Sequence, residues 1–148
     1  MQTINNLGIQ PASRFDPLDS RQEGNKNTKF ADLLIDGQSL YRMLQKHDLV
    51  PVFGWGSLEW QQQFLDYFLR GKPHDVLGDR YPLMVCPWCG DEECGFISVK
   101  VNREGDRVIW QDFYLEHRRE KLPLGPFVFQ WAPYEQAIDS TFGMYGIQ

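Results

Sequence analysis

The stretch Phe96-Ile97-Ser98-Val99-Lys100-Val101-Asn102, followed after a short charged turn by Arg107-Val108-Ile109-Trp110-Gln111-Asp112-Phe113, decides the fold. On its first arm Ile97, Val99 and Val101 share one face while Ser98 and Lys100 share the other, the period of two of a half-buried strand. Glu104-Gly105-Asp106 supplies the turn, and the second arm, where Val108, Ile109 and Trp110 are consecutive, returns beside the first as a hairpin. Pro82 to Cys86 reads as a short apolar strand before this hairpin, and Phe127 to Trp131 as a final strand after it. Pro133-Tyr134-Glu135 then opens a short helix with proline in its first turn.

Upstream, Phe30 to Ile35 is strand-like and stops at Asp36-Gly37, and Ser39 caps a short helix carrying Leu40, Met43 and Leu44. Asp48 to Phe53 leans towards strand but is interrupted by Pro51. Ser57 caps the strongest helical pattern: Trp60, Phe64, Tyr67 and Phe68 fall at helical spacing, with Gln61, Gln62, Gln63, Asp66 and Arg70 in other directions, before Gly71 and Pro73 end it. Strands gathered in the second half behind helices predict an α+β domain, with a mainly antiparallel sheet of about four to five strands and two to three helices packed on it. Residues 1–28, rich in Asn, Gln and Ser with apolar residues at no steady period, read as an N-terminal arm anchored by Phe15 and Leu18. Residues 29–148 read as the single α+β domain.

The chain has 148 residues, 42% of them hydrophobic and 14% aromatic, enough for a core without disulfides and too much for an acidic disordered tail. No apolar run approaches the roughly 20 residues a bilayer needs, so no membrane partner is expected. Twenty acidic against 15 basic residues give a net charge of −5, which argues against nucleic acid as a partner. No basic or apolar leader opens the chain, and with clustered cysteines a reducing cytoplasm is the expected location.

Cys86-Pro87-Trp88-Cys89-Gly90-Asp91-Glu92-Glu93-Cys94-Gly95 is the chemically distinctive segment. Its simplest reading is a tight turn whose cysteines pack as small hydrophobes. Zinc is the second: Cys86, Cys89 and Cys94 offer three thiolates, and a fourth ligand would come from His74, His117 or an acidic residue. Thiol redox chemistry is the third, opposed by the Asp91-Glu92-Glu93 carboxylates, which disfavour a thiolate. No other cofactor is expected. Gly54-Trp55-Gly56-Ser57 matches neither a nucleophile elbow nor a dinucleotide fingerprint, so Ser57 is a cap. His47, His74 and His117 stand without a paired ligand or base in sequence, and Arg118-Arg119 with Lys121 reads as a solvated turn.

Ala31-Asp-Leu-Leu-Ile-Asp-Gly-Gln-Ser-Leu40, Val52-Phe-Gly-Trp55, Leu83-Met-Val-Cys-Pro-Trp-Cys-Gly-Asp91, Cys94-Gly95 and Val108-Ile-Trp-Gln-Asp-Phe113 together resemble a group of small bacterial proteins without a known activity. Gly125-Pro-Phe-Val-Phe129 and Tyr134-Glu-Gln-Ala137 extend the resemblance over about residues 30 to 138. It implies one cytoplasmic bacterial domain and brings no catalytic residue with it. A small, acidic, aromatic-rich domain lacking a nucleophile–base constellation is expected to bind protein, most concretely as an immunity protein that neutralises a basic toxin domain. The alternative is a small zinc- or thiol-dependent enzyme centred on Cys86, Cys89 and Cys94.

Overall fold

The computed structural model describes residues 4–14, 29–86 and 95–145. In chain order its elements are β1 (Leu7–Ser13), β2 (Lys29–Ile35), β3 (Gln38–Ser39), α1 (Leu40–Met43), β4 (Val50–Pro51), α2 (Leu58–Arg70) and β5 (Arg80–Val85). There follow β6 (Phe96–Glu104), β7 (Arg107–Leu115), β8 (Glu120–Lys121), β9 (Phe127–Gln130) and α3 (Trp131–Asp139), with 3-10 turns at Gln45–His47 and Glu116–Arg118. The class is α+β with antiparallel pairing throughout.

β6 and β7 form the expected hairpin, closed at the Glu104–Arg107 pair by Gly105 and Asp106 alone. Gly105 has φ +62°, the positive first position that lets a two-residue turn follow the strands' twist. The consecutive apolar residues on β7 resolve into two faces and a bulge. Val108 and Trp110 point into the core, and Ile109 pairs with Val128 on the other side, where both are buried as well. The register then shifts between the Lys100–Gln111 and Ser98–Tyr114 pairs, with Asp112 in the left-handed region at φ 55°. That extra residue returns Phe113 and Leu115 to the core face, where simple alternation would have placed Asp112 and Tyr114.

Among the described residues nine strands stand where four to five are expected, and they form two sheets. β3, β4 and β8 are two residues each, too short to show a periodicity. β1 is drawn from the supposed arm: Leu7 to Ser13 pairs with Ile35 to Lys29 along its whole length. Its Gly8, Gln10 and Pro11 hide a strand pattern, and Pro11 is tolerated because β1 has β2 on one side only. Phe15 and Leu18 lie outside the described residues. The last strand ends at Gln130, and Trp131 begins α3, its amide donating to Asp106 O at 2.7 Å.

The sheets run β1-β2-β3 and β4-β5-β6-β7-β8, with β9 also on β7. Two seams join them. Ala31 N donates to Phe53 O at 3.0 Å, and Val52 N to Leu83 O at 2.9 Å, which carries pairing from β2 across to β5. At the other side Asn5 N donates to Val128 O at 2.7 Å and Val128 N returns a bond to Asn5 Oδ1 at 2.8 Å. Backbone hydrogen bonds thus make a closed circuit, β1-β2-β4-β5-β6-β7-β9 and back through Asn5. One apolar cluster spans both sheets and the two longer helices.

Ser57 Oγ accepts from Trp60 N at 3.0 Å, and Gly71 ends α2 at φ 67°, both as the sequence predicts. Phe64, Leu65, Tyr67 and Phe68 are buried on α2. Phe68 meets Phe53, Tyr81 and Trp110 with ring centroids 5.0, 5.4 and 5.6 Å away. Gln61 corrects the polar assignment of its side: it is 2% exposed and sits on the same stripe as Phe64, Leu65 and Phe68.

Candidate functional site

The cysteine segment leaves the sheet at Val85 and re-enters at Phe96, which pair with each other across β5 and β6. On the next strand Ile97 pairs with Leu115, the last residue of β7. One step further along these three strands therefore stand Cys86, Gly95 and the Glu116–Arg118 turn that carries His117. Cys86 is a free, buried thiol. Gly95 has φ +97°, and a Cβ there would lie 2.4 Å from His117 Nδ1, so the imidazole occupies the space that any other residue's side chain would fill. Cys89 and Cys94 lie outside the described residues. Among the described residues no group of three or more His, Cys, Asp or Glu could hold a metal ion.

His47 lies half-buried in the 3-10 turn that precedes β4, and its Nε2 is buried without a hydrogen-bond partner. Burial pushes its pKa down; Lys46 lowers it further, Glu120 opposes, and Arg118 and His117 add to the lowering. His74 is committed elsewhere: its Nδ1 accepts from the amides of Val76 and Leu77, both at 3.1 Å, and its ring lies 5.4 Å from Tyr67. Arg118, Arg119 and Lys121 are exposed, as expected for a solvated turn.

Two polar clusters were not anticipated. On the outer face of β5, β6 and β7, Arg80 Nη2 donates to Ser98 Oγ at 2.8 Å and to Asp112 O at 2.6 Å, while Ser98 Oγ donates to Glu116. Ser98 is fully buried, so its hydroxyl cannot reach a substrate; the network fastens the β7 bulge to β5. Alternating polar residues on β6 were its one sequence signal. The second cluster surrounds Asp32, 2% exposed within β2. Its carboxylate accepts from Leu33 N at 2.9 Å, Tyr41 N at 3.2 Å, Gln10 Nε2 at 3.4 Å and Ser39 Oγ. A polar groove of about 520 Å³ opens beside it, lined by Gln10, Ser39, Tyr41, Arg42 and Gln45. With four donors on two oxygens, Asp32 ties β1, β2 and α1 together and has no lone pair to spare for general-base work.

Charge is unevenly distributed. Six of the 20 acidic and two of the 15 basic residues fall outside the described residues, leaving 14 acidic and 13 basic within them. The described part is thus close to neutral, and Asp91-Glu92-Glu93 alone supplies three of the five net negative charges. No family model, curated protein or solved structure matches the chain. Among the described residues, no helix is long and apolar enough to cross a membrane.

Proposed function

We propose that this chain is a non-enzymatic protein-binding domain, an immunity protein that neutralises a basic toxin domain in the cytoplasm by direct contact. The observation that carries the reading is the concentration of negative charge in Asp91-Glu92-Glu93, within the single connection between β5 and β6. Negative charge concentrated in one stretch of a chain whose described residues are close to neutral orients a basic partner towards that stretch and speeds encounter. Support also comes from the polar side chains of the body: those of Ser98, Asp32 and Gln61 are spent on internal hydrogen bonds, a use that suits a scaffold.

The test is binding to, and protection against, the toxin encoded beside this gene. The triple variant Asp91→Asn, Glu92→Gln, Glu93→Gln should lower the association rate at low salt by at least about tenfold and flatten its salt dependence. A chain that neither binds nor protects against that neighbour overturns the reading, as does a triple variant that associates at the original rate.

A further inference from the structure

At the end of the sheet closed by the β6–β7 turn, a pocket of about 130 Å³ opens between the last turn of α2, the strands and the start of α3. Its walls are Tyr67 and Phe68 of α2, Tyr81 of β5, Val101 of β6, Val108 of β7 and Trp131 of α3. It stays open because α2 stops at Gly71 while the hairpin runs on: Val99 is fully buried, Val101 half-buried and Arg103 exposed.

Arg103 is the unusual residue. By alternation along β6 it continues the inward row of Ile97, Val99 and Val101, where an apolar side chain is expected. Its guanidinium lies 3.7 Å from the centre of the Trp131 ring, and its Nε donates to Gly105 O at 3.1 Å. Among the described residues no carboxylate pairs with it, which leaves both η nitrogens available at the rim. Arg70, the other cation lining the pocket, is already paired with Asp66 one turn back along α2.

We propose that this pocket binds a small aromatic carboxylate, with the ring inward against Tyr67, Tyr81 and Trp131 and the carboxylate on the η nitrogens of Arg103. Size admits a ring, since an apolar cavity of roughly 150 Å³ holds benzene. Aromatic walls favour an aromatic occupant through edge and face contacts. Arg103 and Arg70 repel a cation, and the planar fork of a guanidinium matches the two oxygens of a carboxylate. The C-terminal end of α2 carries partial negative charge, so the anionic end turns away from Gly71 and towards β6. All of this lies at the opposite end of β6 from the connection that begins at Val85, so ligand and protein partner would use separate surfaces.

The experiment titrates full-length, nitrogen-15-labelled protein with phenylacetate and follows the Trp131 indole and the amides of Gly71, Val101 and Val108 by NMR. We expect saturable shifts at these positions with a Kd of about 1 mM or tighter. Neutral phenylacetamide should bind at least about tenfold more weakly, because it lacks the charge-assisted bonds, and phenethylammonium should not saturate the site. Arg103→Gln, at an exposed position, should keep a native circular-dichroism spectrum. It should weaken phenylacetate by at least about tenfold and leave phenylacetamide unchanged. An arginine that only covers Trp131 would instead affect both probes alike. Val101→Phe, which fills the pocket, should abolish binding of both. Absence of saturation at about 10 mM phenylacetate, shifts that map elsewhere, equal affinity for phenylacetamide, or phenylacetate bound undiminished by R103Q would each overturn the proposal.

Discussion

Gln61 is a clamp. Its Nε2 donates to Gly56 O and Tyr145 O, both at 3.1 Å, and its Oε1 accepts from Gly143 N at 2.8 Å. One buried amide therefore joins the loop before α2 to the segment after α3, and Tyr145 N completes the joint on Gly54 O at 2.8 Å. Gln61→Leu keeps the volume and removes all three bonds. Unpaired buried groups cost about 1–3 kcal/mol each, and water recovers part of that here, so urea unfolding should show a loss of about 2–4 kcal/mol. Amide exchange at Gly143 should accelerate in the same variant; an unchanged midpoint would refute the clamp. Residue 61 lies three, four and seven positions before Phe64, Leu65 and Phe68, which is the core stripe itself. The helical position was legible; polar identity argued the other way, because a buried glutamine's partners come from residues up to 84 positions away.

α2 shows what an element owes to its neighbours. Ser57, the apolar spacing and Gly71 specify it locally, but the last carbonyls of any α-helix lack intrahelical donors. Here a side chain from a distant element supplies one of them: Tyr134 Oη donates to Phe68 O at 2.8 Å, and just past the helix end Tyr81 Oη donates to Lys72 O at 2.9 Å. Tyr134 Oη also accepts from Trp110 Nε1 at 3.3 Å, and its complete burial pushes the phenol pKa far up, so it stays a donor at any working pH. Tyr134→Phe leaves one acceptor and one donor unpaired in the core. We expect a loss of about 2–4 kcal/mol in chemical denaturation, against less than about 1 kcal/mol for Gln62→Ala on the exposed side. β6 and β7 were legible from alternation, and the bulge at Asp112 was not, since the register shift answers to which residues the core can accept. β1 was hidden for a related reason: with Gly8 and Pro11 its own preferences are weak, and pairing to β2 makes it a strand.

At the scale of the molecule the circuit closes through a few bonds near the N-terminus. Besides the Asn5–Val128 pair, Asp36 N donates to Asn6 O at 2.9 Å, Asn6 N to Asp36 Oδ1 at 2.8 Å and Asn5 Nδ2 to Asp36 Oδ2 at 2.7 Å. The Asn6 amide and then the Asn5 side chain hold the Asp36 carboxyl below its ordinary value. A depressed folded pKa means that the stabilisation is present above the unfolded value of about 4 and is lost as pH falls through the folded pKa. Removing residues 1–6 should return the Asp36 titration, followed by carboxyl NMR, to the ordinary range. The same truncation should lower unfolding stability near neutral pH by about 2–4 kcal/mol, the sum of several part-exposed hydrogen bonds. Full stability without those residues would show that the circuit does not need its seam.

The sequence by itself determined the α+β class, the central hairpin, α2 with both its caps, and the placing of all three cysteines in one connection. Those features follow from periodicity and turn chemistry that act within about ten residues of chain. The tertiary structure alone decided that residues 7–13 are a strand, that the two sheets close into one circuit, and that His117 lies over Gly95. Each of these depends on groups far apart in sequence, 123 positions in the case of Asn5 and Val128. Local preference is silent about such pairs, and only the register of the folded strands brings them together.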